Sequence, residues 1–297
     1  MLALIPYRFG LELLGELPEG IEVEVWDGTG EPPAGAGLWV PPWEPLDYAS
    51  AFATLPELRV VQLMSAGYEH VASSVPAGVT LCNARGVHDA NVAEWIVAAI
   101  LAMLRDIPAH VRRQDARAPL QEETDTLGGK TVLSLGHGSI GEAVERLLAP
   151  FDVEFVRVAK HKRDGVHPVD ELPELLPRAG VLVILAPLND ETRGLVDAAA
   201  LAALPDGALV VAASRGGIVD QDALLAELRA GRLRAALDVA EPDPLPPDHP
   251  LLGEPGVLYT PHVAGATRQT HPRVFAFVGD QLRSLGRGEP LLNVVST

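Results

Sequence analysis

The sequence has a single cysteine, few basic residues and no apolar run long enough to cross a bilayer. The one thiol, Cys82, cannot close a disulfide within the chain, which fits a reducing compartment. The longest nearly apolar stretch, residues 92–104, contains Glu94 and is shorter than the ~18 residues that a membrane helix needs. The N-terminal stretch MLALIPYRFG has no basic residues before its apolar part and is broken by Pro6, so it does not resemble a signal peptide. We therefore expect a cytoplasmic protein.

The shortage of basic residues also limits the partners. The chain has 23 Lys and Arg against 40 Asp and Glu, a formal charge of −17, which argues against nucleic acid or an anionic membrane surface as a partner. A small anionic ligand is still compatible, because a local arginine can override the overall field. The histidines have no metal-ligand spacing, so no metal site is expected. Hydrophobic residues make up 47% of the chain, enough for a large core.

Short apolar runs alternate with amphipathic segments, which predicts an α/β protein with mainly parallel sheets. From residue 130 onward six such runs predict a Rossmann-type domain with strands at 131–135, 153–158, 181–185, 208–213, 233–238 and 257–259. The first ninety residues have a weaker rhythm, with strands expected at 2–5, 21–25, 37–40, 59–63 and 79–81. We expect a Rossmann dinucleotide-binding domain over residues 91–266, inserted in a smaller, discontinuous, flavodoxin-like α/β substrate domain formed by residues 1–90 and 267–297.

Three further segments complete this prediction. A capping box at Asn91–Glu94 predicts a buried helix to about Arg105. The polar segment 112–129 is expected to cross the surface back to the first Rossmann strand. The tail is expected to form a helix from Thr267 to about Leu285, with Thr270 as the cap of a restart before Pro272.

A glycine-rich loop follows the first Rossmann strand and opens a helix, the context that a dinucleotide-binding loop needs. Gly136 permits the tight turn, Gly138 lets the backbone approach a pyrophosphate at the helix N-terminus, and Gly141 allows close packing of helix on strand. The expected cofactor contacts from this loop are Gly136, His137, Gly138, Ser139, Ile140 and Gly141.

The choice between NAD and NADP depends on the residue that ends the second strand, about 20 residues after the loop. The sequence there is VEFVRVAKHKR, and we assign this position to Arg157. An arginine cannot accept a hydrogen bond from a ribose 2′-hydroxyl, but it can pair with a 2′-phosphate. We therefore expect NADP or NAD, with NADP favoured. The alternative is a solvated basic turn whose register is shifted by a residue or two.

The ends of the later strands carry charged residues that suit reduction of a keto acid. The segments are SRGGIVD, ALDVAEPDPL and TPHVAGAT, with Arg215, Asp238, Asp243 and His262 among their residues. Ligands bind outside the carboxyl ends of strands in open α/β sheets. An arginine can pair with a carboxylate, and a histidine supported by a carboxylate can deliver a proton.

From about residue 67 onward, the chain resembles the D-isomer-specific 2-hydroxyacid dehydrogenases. This family includes glyoxylate/hydroxypyruvate reductases, phosphoglycerate dehydrogenases and D-lactate dehydrogenases. The stretches that carry the resemblance are VAEWIVAAILAMLRDI, GGKTVLSLGHGSIG, APLNDETRGLVD, SRGGIVDQDALLAELRAGRL, ALDVAEPDPLPPDHPLL and TPHVAGAT. The first sixty residues match only in general character.

The resemblance implies three catalytic residues. Arg215 would bind the substrate carboxylate and polarise the adjacent ketone, and His262 would act as general acid or base. Family members commonly have Glu five residues after the Asp of LDV, where this chain has Asp243. Because aspartate is one methylene shorter, it must approach the imidazole more closely or act through water, and Glu241 is the competing candidate.

The resemblance also implies further contacts. Asp238 would contact the nicotinamide carboxamide, and Ser65, Ala66 and Gly67 would hold the substrate carboxylate through backbone N–H groups. The other expected cofactor contacts are Pro187, Thr192 and Ala213. A homodimer is expected, as in relatives.

The expected function is hydride transfer between NAD(P)H and a small 2-keto acid, giving a D-2-hydroxy acid, with glyoxylate or hydroxypyruvate as candidate substrates. One alternative is a non-catalytic dinucleotide-sensing interaction protein on the same fold. Another is a dehydrogenase of phosphoglycerate or phosphite. Phosphoglycerate is disfavoured because the segment from Ser65 to Glu69 offers no basic residue for a second anionic group.

Overall fold

The computed structural model describes residues 1–295, which divide into two compact units. One unit comprises Met1–His88 together with the segment from Thr267 onward, and the other comprises Asp89–Ala266. In the described part of the chain, no helix combines the length and apolarity needed to span a membrane.

The first unit contains a five-stranded parallel sheet in the order β2-β1-β3-β4-β5. This is the flavodoxin-like order, and each strand lies within a residue or two of its predicted position. The strands are β1 (Leu2–Ile5), β2 (Glu22–Val25), β3 (Ala36–Trp39), β4 (Val60–Gln62) and β5 (Thr80–Cys82). The helices are α1 (Gly10–Leu13), α2 (Tyr48–Ala53), α3 (Glu69–Ala72) and, from the tail, α10 (Thr270–Arg287).

The C-terminal tail lies along β5, the edge strand of this sheet. The backbone N–H of Asn83 donates to the carbonyl of Asn293 at 3.1 Å, and that of Val295 donates to the carbonyl of Leu81 at 2.8 Å. Cys82 and Val294 form an antiparallel bridge between them. The last described residues therefore extend the parallel sheet by a short antiparallel segment.

The second unit contains a seven-stranded parallel sheet in the order β12-β11-β10-β9-β6-β7-β8. The predicted Rossmann-type α/β fold is confirmed, and the strand order reverses between β6 and β9, where such sheets bind their ligands. Six strands match the prediction, and the seventh is the two-residue β8. The strands are β6 (Thr131–Leu135), β7 (Glu154–Ala159), β8 (His167–Pro168), β9 (Ala179–Ile184), β10 (Leu209–Ala212), β11 (Arg234–Leu237) and β12 (Val257–Tyr259).

Both faces of this sheet are buried, which explains why its strands are continuous apolar runs. Leu133, Leu182 and Val210 belong to one hydrophobic cluster. Val183 and Val211, which point to the opposite face, belong to another. The helices of this unit are α4 (Asp89–Leu104), α5 (Ile107–Asp115), α6 (Ser139–Leu148), α7 (Leu172–Leu175), α8 (Ala198–Ala203) and α9 (Gln221–Arg229).

Two helix starts differ from the sequence prediction, and one helix is additional. α4 begins at Asp89, so Asn91 is a buried residue of its first turn rather than its N-cap. α5 was not predicted; its last residues lie in the polar segment expected to cross the surface, and Pro108 lies in its first turn, where a proline is tolerated. α10 begins at Thr270, whose hydroxyl accepts a hydrogen bond from the backbone N–H of Thr267 at 2.8 Å.

Candidate active site

The glycine loop joins β6 to α6 at the point where the sheet order reverses. Gly136 has φ +97°, and a Cβ there would lie 2.3 Å from the backbone nitrogen of Ala186, so no larger residue fits. A Cβ at Gly138 would meet nothing within 4 Å, which leaves open space beside the backbone. Gly138 is the N-cap of α6, and the first N–H groups of a helix are available to an anion. These features fit a dinucleotide pyrophosphate.

His137 lies inside the glycine loop and is 7% exposed. Its Nε2 is 3.5 Å from Oε2 of Glu145, while its Nδ1 has no hydrogen-bond partner among residues 1–295. Burial lowers the pKa of His137, and the nearby Glu145 carboxylate partly opposes this effect. Burial therefore favours the neutral form of this imidazole.

The structure corrects the position assigned to Arg157. β7 runs to Ala159, so Arg157 lies two residues before the end of the strand rather than at it. Its guanidinium makes two hydrogen bonds to Glu145, including Nε to Oε2 at 2.8 Å, and this carboxylate raises the arginine pKa. The sequence does not mark where this strand ends, because every residue of FVRVA is compatible with a strand. Arg157 is already engaged by a carboxylate on α6.

The residues at the end of β7 are instead Ala159 and the basic segment Lys160–Arg163 that follows. Lys160 pairs with Glu191 at 2.6 Å, and Arg163 donates from Nη2 to the carbonyl of His137. A cavity of about 250 Å³ lies beside the glycine loop. It is lined by His137, Glu142, Arg157, Arg163, Asp164, Gly165 and Val166.

The loop after β9 carries Pro187 and Thr192, which contact each other. The Thr192 hydroxyl donates to the carbonyl of Pro187 at 2.6 Å and accepts from the backbone N–H of Asn189 at 2.9 Å. Thr192 therefore shapes its own loop. Ala213 follows β10 directly and is half-buried, with its N–H 3.4 Å from the carbonyl of Ile184.

Arg215 follows β10 by three residues and has an extended backbone. Its Nη1 donates to the carbonyl of Ser214 at 2.7 Å, and the side chain is partly buried. The next residue, Gly216, begins a 3₁₀ turn, and a Cβ there would lie 2.1 Å from the carbonyl carbon of Ala240. The first glycine of SRGG is therefore required where this turn passes the loop after β11.

Asp238 follows β11, is 1% exposed and holds the loop that carries His262. Its Oδ1 accepts from the Thr260 hydroxyl at 2.5 Å and from the Val263 N–H at 2.9 Å, and its Oδ2 accepts from the Ala264 N–H at 2.8 Å. Its own carbonyl accepts from the His262 N–H at 2.7 Å. The sequence prediction named Asp238 only as a cofactor contact and did not foresee this anchoring.

His262 contacts Asp243, one of the two acids that the sequence left open. The Nδ1 of His262 is 2.6 Å from Oδ2 of Asp243, so Nδ1 carries the proton and donates to the carboxylate. The competing Glu241 carboxylate is bound instead by Nη1 of Arg193, at 3.0 and 3.2 Å to its two oxygens. The Nε2 of His262 is left as the nitrogen that can serve a substrate.

The predicted substrate loop lies in the first unit, directly after β4. The Ser65 hydroxyl donates to the carbonyl of Gly67 at 2.6 Å, and the Asn83 side chain donates to the carbonyl of Ala66 at 2.8 Å. Within residues 1–295, the backbone N–H groups of Ala66 and Gly67 donate to no protein acceptor. They are thus available to an anion, as the prediction requires.

A parallel sheet of this order, with that glycine loop at its switch point, is typical of the class of dinucleotide-binding domains. Residues 97–264 match the family model described as D-isomer specific 2-hydroxyacid dehydrogenase, NAD binding domain. The chain belongs to the D-isomer specific 2-hydroxyacid dehydrogenase family and is an NAD(P)-dependent oxidoreductase acting on hydroxy acids.

Individual relatives agree with this assignment. A glyoxylate reductase from Aeropyrum pernix is 31% identical over 96% of this chain and 92% of its own length. A D-3-phosphoglycerate dehydrogenase from Archaeoglobus fulgidus is 30% identical over 93% of this chain, which spans only 55% of that relative. A D-isomer specific 2-hydroxyacid dehydrogenase from Xanthobacter autotrophicus Py2, solved with NADPH and MES, is 29% identical with a TM-score of 0.86, covering 99% of this chain and 98% of that one.

Proposed function

We propose that the protein reduces a small 2-keto acid, glyoxylate or hydroxypyruvate, to the D-2-hydroxy acid with NADPH as the favoured donor. The contact between Asp243 and His262, at 2.6 Å, is the observation that carries this proposal. A histidine held by a carboxylate at a strand end has the chemistry of a general acid in ketone reduction. The glyoxylate reductase among the relatives supports the substrate class.

The residues divide the chemistry among them. The guanidinium of Arg215 pairs with the substrate carboxylate and draws electron density from the adjacent ketone. When bound, the nicotinamide supplies a hydride to the carbonyl carbon. Protonated His262 donates a proton from Nε2 to the carbonyl oxygen, which becomes the hydroxyl, and Asp243 stabilises the imidazolium beforehand. Ser65, Ala66 and Gly67 are proposed to add backbone N–H donors to the substrate carboxylate.

The cofactor preference rests on the end of β7. The last residue of that strand is Ala159, so no carboxylate stands there to accept from a ribose 2′-hydroxyl. The following Lys160–Arg163 segment is basic, which suits a 2′-phosphate. The NADPH bound by the relative from Xanthobacter supports the same choice. Gly136, His137, Gly138, Ser139, Ile140 and Gly141 are the proposed pyrophosphate contacts, with Arg157, Pro187, Thr192, Ala213 and Asp238 as further cofactor residues.

We also propose that the protein is a cytoplasmic homodimer. Ile107 and Val111 are each 50% exposed, and their spacing places them on one face of α5. Burying these apolar side chains against a second copy would be favourable. Sedimentation velocity of the wild type and of Val111→Glu tests this part, because a dimer that uses the α5 face is weakened by the buried charge.

An initial-rate matrix tests the proposed reaction. NADH and NADPH are each measured with glyoxylate, hydroxypyruvate, pyruvate, phenylpyruvate and longer 2-keto acids, and in the oxidative direction with 3-phosphoglycerate and phosphite. We expect the highest kcat/KM with NADPH and the two smallest substrates. His262→Gln, which keeps the glycine loop intact, should bind the cofactor and lose turnover. Cofactor binding by the wild type without turnover of any substrate would support the sensing protein instead.

A further inference from the structure

Gln221, the first residue of α9, forms hydrogen bonds to the backbone of the loop that follows β11. Its Oε1 accepts from the N–H of Glu241 at 3.0 Å, and its Nε2 donates to the carbonyl of the same residue. A side-chain amide that pairs with both polar groups of one residue fixes that residue much as a neighbouring strand would. Glu241 is therefore a fixed point at the start of the loop, two residues before Asp243.

A second fixed point lies two residues after Asp243. The backbone N–H of Leu245 donates to the hydroxyl of Tyr259 at 2.9 Å, and Tyr259 is the last residue of β12. Leu245 itself is buried, 7% exposed. Asp243 is thus the middle residue of a five-residue segment, 241–245, that is held at both ends by side chains of α9 and β12.

The loop after β9 is also joined to Glu241, through Arg193, but this contact is weaker. Arg193 pairs with the Glu241 carboxylate above the second glycine of SRGG, where a Cβ on Gly217 would lie 2.6 Å from Glu241 Oε2. Both charged side chains are more than half exposed, so the pair contributes little by itself. The amide of Gln221 and the hydroxyl of Tyr259 are the stronger constraints because they hold the backbone directly.

Anchoring of segment 241–245 at both ends explains how the short side chain of Asp243 can reach His262. Aspartate reaches one methylene less far than the glutamate that the family commonly places here, so the backbone under it must be brought closer to the histidine. The observed separation of 2.6 Å between Asp243 and His262 requires a loop that stays in one position. A loop free at either end would sample positions from which the short side chain cannot reach.

We propose that Gln221 and Tyr259 are positioning residues that hold segment 241–245 so that the Asp243 carboxylate stays bonded to His262. The proposal rests on the function given above, because it assigns these residues a purpose in proton transfer. Neither residue touches the imidazole itself in the described contacts. Their influence on the reaction must therefore pass through Asp243.

The first measurement does not need turnover. In Gln221→Met and in Tyr259→Phe, the Nδ1 proton of His262 is followed by proton NMR at a fixed pH, assigned with His262→Gln. A proton held in a short hydrogen bond to a carboxylate resonates far downfield and exchanges slowly with water, so this resonance should broaden or disappear in both variants relative to the wild type. Gln114→Met on α5 and Tyr48→Phe in the first unit make the same chemical changes elsewhere, and should leave the resonance in place.

The second measurement is a double-mutant cycle on kcat/KM. We expect Gln221→Met and Tyr259→Phe each to lower kcat/KM about tenfold in the wild-type background, and by less than about twofold when Asp243→Asn is already present. A purely structural role would lower the melting temperature, leave the Nδ1 proton resonance of His262 in place and give effects that add to Asp243→Asn; that pattern would overturn the proposal. If the wild type turns over no substrate, the proposed function fails, and the NMR measurement alone still decides whether the two residues position Asp243.

Discussion

At the scale of single residues, the acid beside His262 illustrates what spacing in a sequence can and cannot decide. Two acids, Glu241 and Asp243, lie two residues apart in the same loop, and the resemblance to the family favoured the second. Which carboxylate contacts the imidazole depends on where the loop is anchored and on which acid is bound by a nearby cation. Arg193 forms an ion pair with Glu241. These two residues are 48 positions apart, so no local pattern reveals their contact.

Replacing Asp243 by Asn should therefore weaken catalysis, whereas replacing Glu241 by Gln should not. Without the carboxylate, His262 loses the hydrogen-bond acceptor that holds its ring in position, so we expect kcat/KM for keto-acid reduction to fall ~100-fold. Glu241→Gln removes a half-exposed ion pair and should change kcat/KM less than about twofold. Equal losses of kcat/KM for the two substitutions would contradict the assignment.

Asp238 is the residue whose removal should cost the most stability in this region. Asp238→Ala leaves the Thr260 hydroxyl and the N–H groups of Val263 and Ala264 without their acceptor, and a buried unsatisfied donor costs about 1–3 kcal/mol. We expect the free energy of unfolding in urea to fall by about 3 kcal/mol or more. The exposed Asp222 of α9 is the control, since Asp222→Ala should cost less than about 1 kcal/mol. Similar losses for both would mean that the Asp238 hydrogen bonds are not structural.

At the scale of elements, the apolar runs predicted the strands well because buried parallel strands are apolar on both faces. β6 and β12 have the predicted bounds. The elements that the sequence did not predict are those without a hydrophobic periodicity. α5 is mostly polar and has Pro108 in its first turn, and β8 has only two residues.

In the turn between β6 and α6, we expect substitution of two nearby glycines to have opposite effects on stability and on cofactor binding. Gly136→Ala forces a Cβ against the backbone of Ala186 at φ +97° and should lower the free energy of unfolding by about 2–3 kcal/mol. Gly138→Ala adds a methyl group to open space and should leave stability unchanged, while it weakens cofactor binding about tenfold or more, or ~1.4 kcal/mol. Urea denaturation and calorimetric titration with NADPH separate the two. Unchanged cofactor affinity in Gly138→Ala would contradict the proposed pyrophosphate site.

At the scale of the whole molecule, the sequence rhythm predicted two α/β sheets and their strand content, and the resemblance supplied the family. Neither the sequence rhythm nor the resemblance predicted the long-range contacts between side chains and loops. Gln221 with Glu241, and Leu245 with Tyr259, join residues 20 and 14 positions apart. Such contacts form only after the strands are aligned in the sheet, so no pattern within a short window encodes them.

The net charge of −17 predicts a stability that depends on salt. Like charges repel in the compact state, and ~0.15 M salt screens them beyond about 8 Å. We expect the melting temperature to rise by about 3 °C between 10 and 150 mM NaCl, equivalent to about 1 kcal/mol. Sucrose at matched osmolality controls for effects unrelated to ions. A melting temperature that stays constant or falls would show that local ion pairs outweigh the overall repulsion.

The tail along β5 has a consequence for solubility. An open strand edge is a template on which another chain can add a strand, and this is a common start of aggregation. Here residues 293–295 occupy part of that template with the molecule's own backbone. If proteolysis or displacement freed β5 of these few residues, we expect the first sign to be turbidity at high concentration, while the molecules still in solution kept their activity.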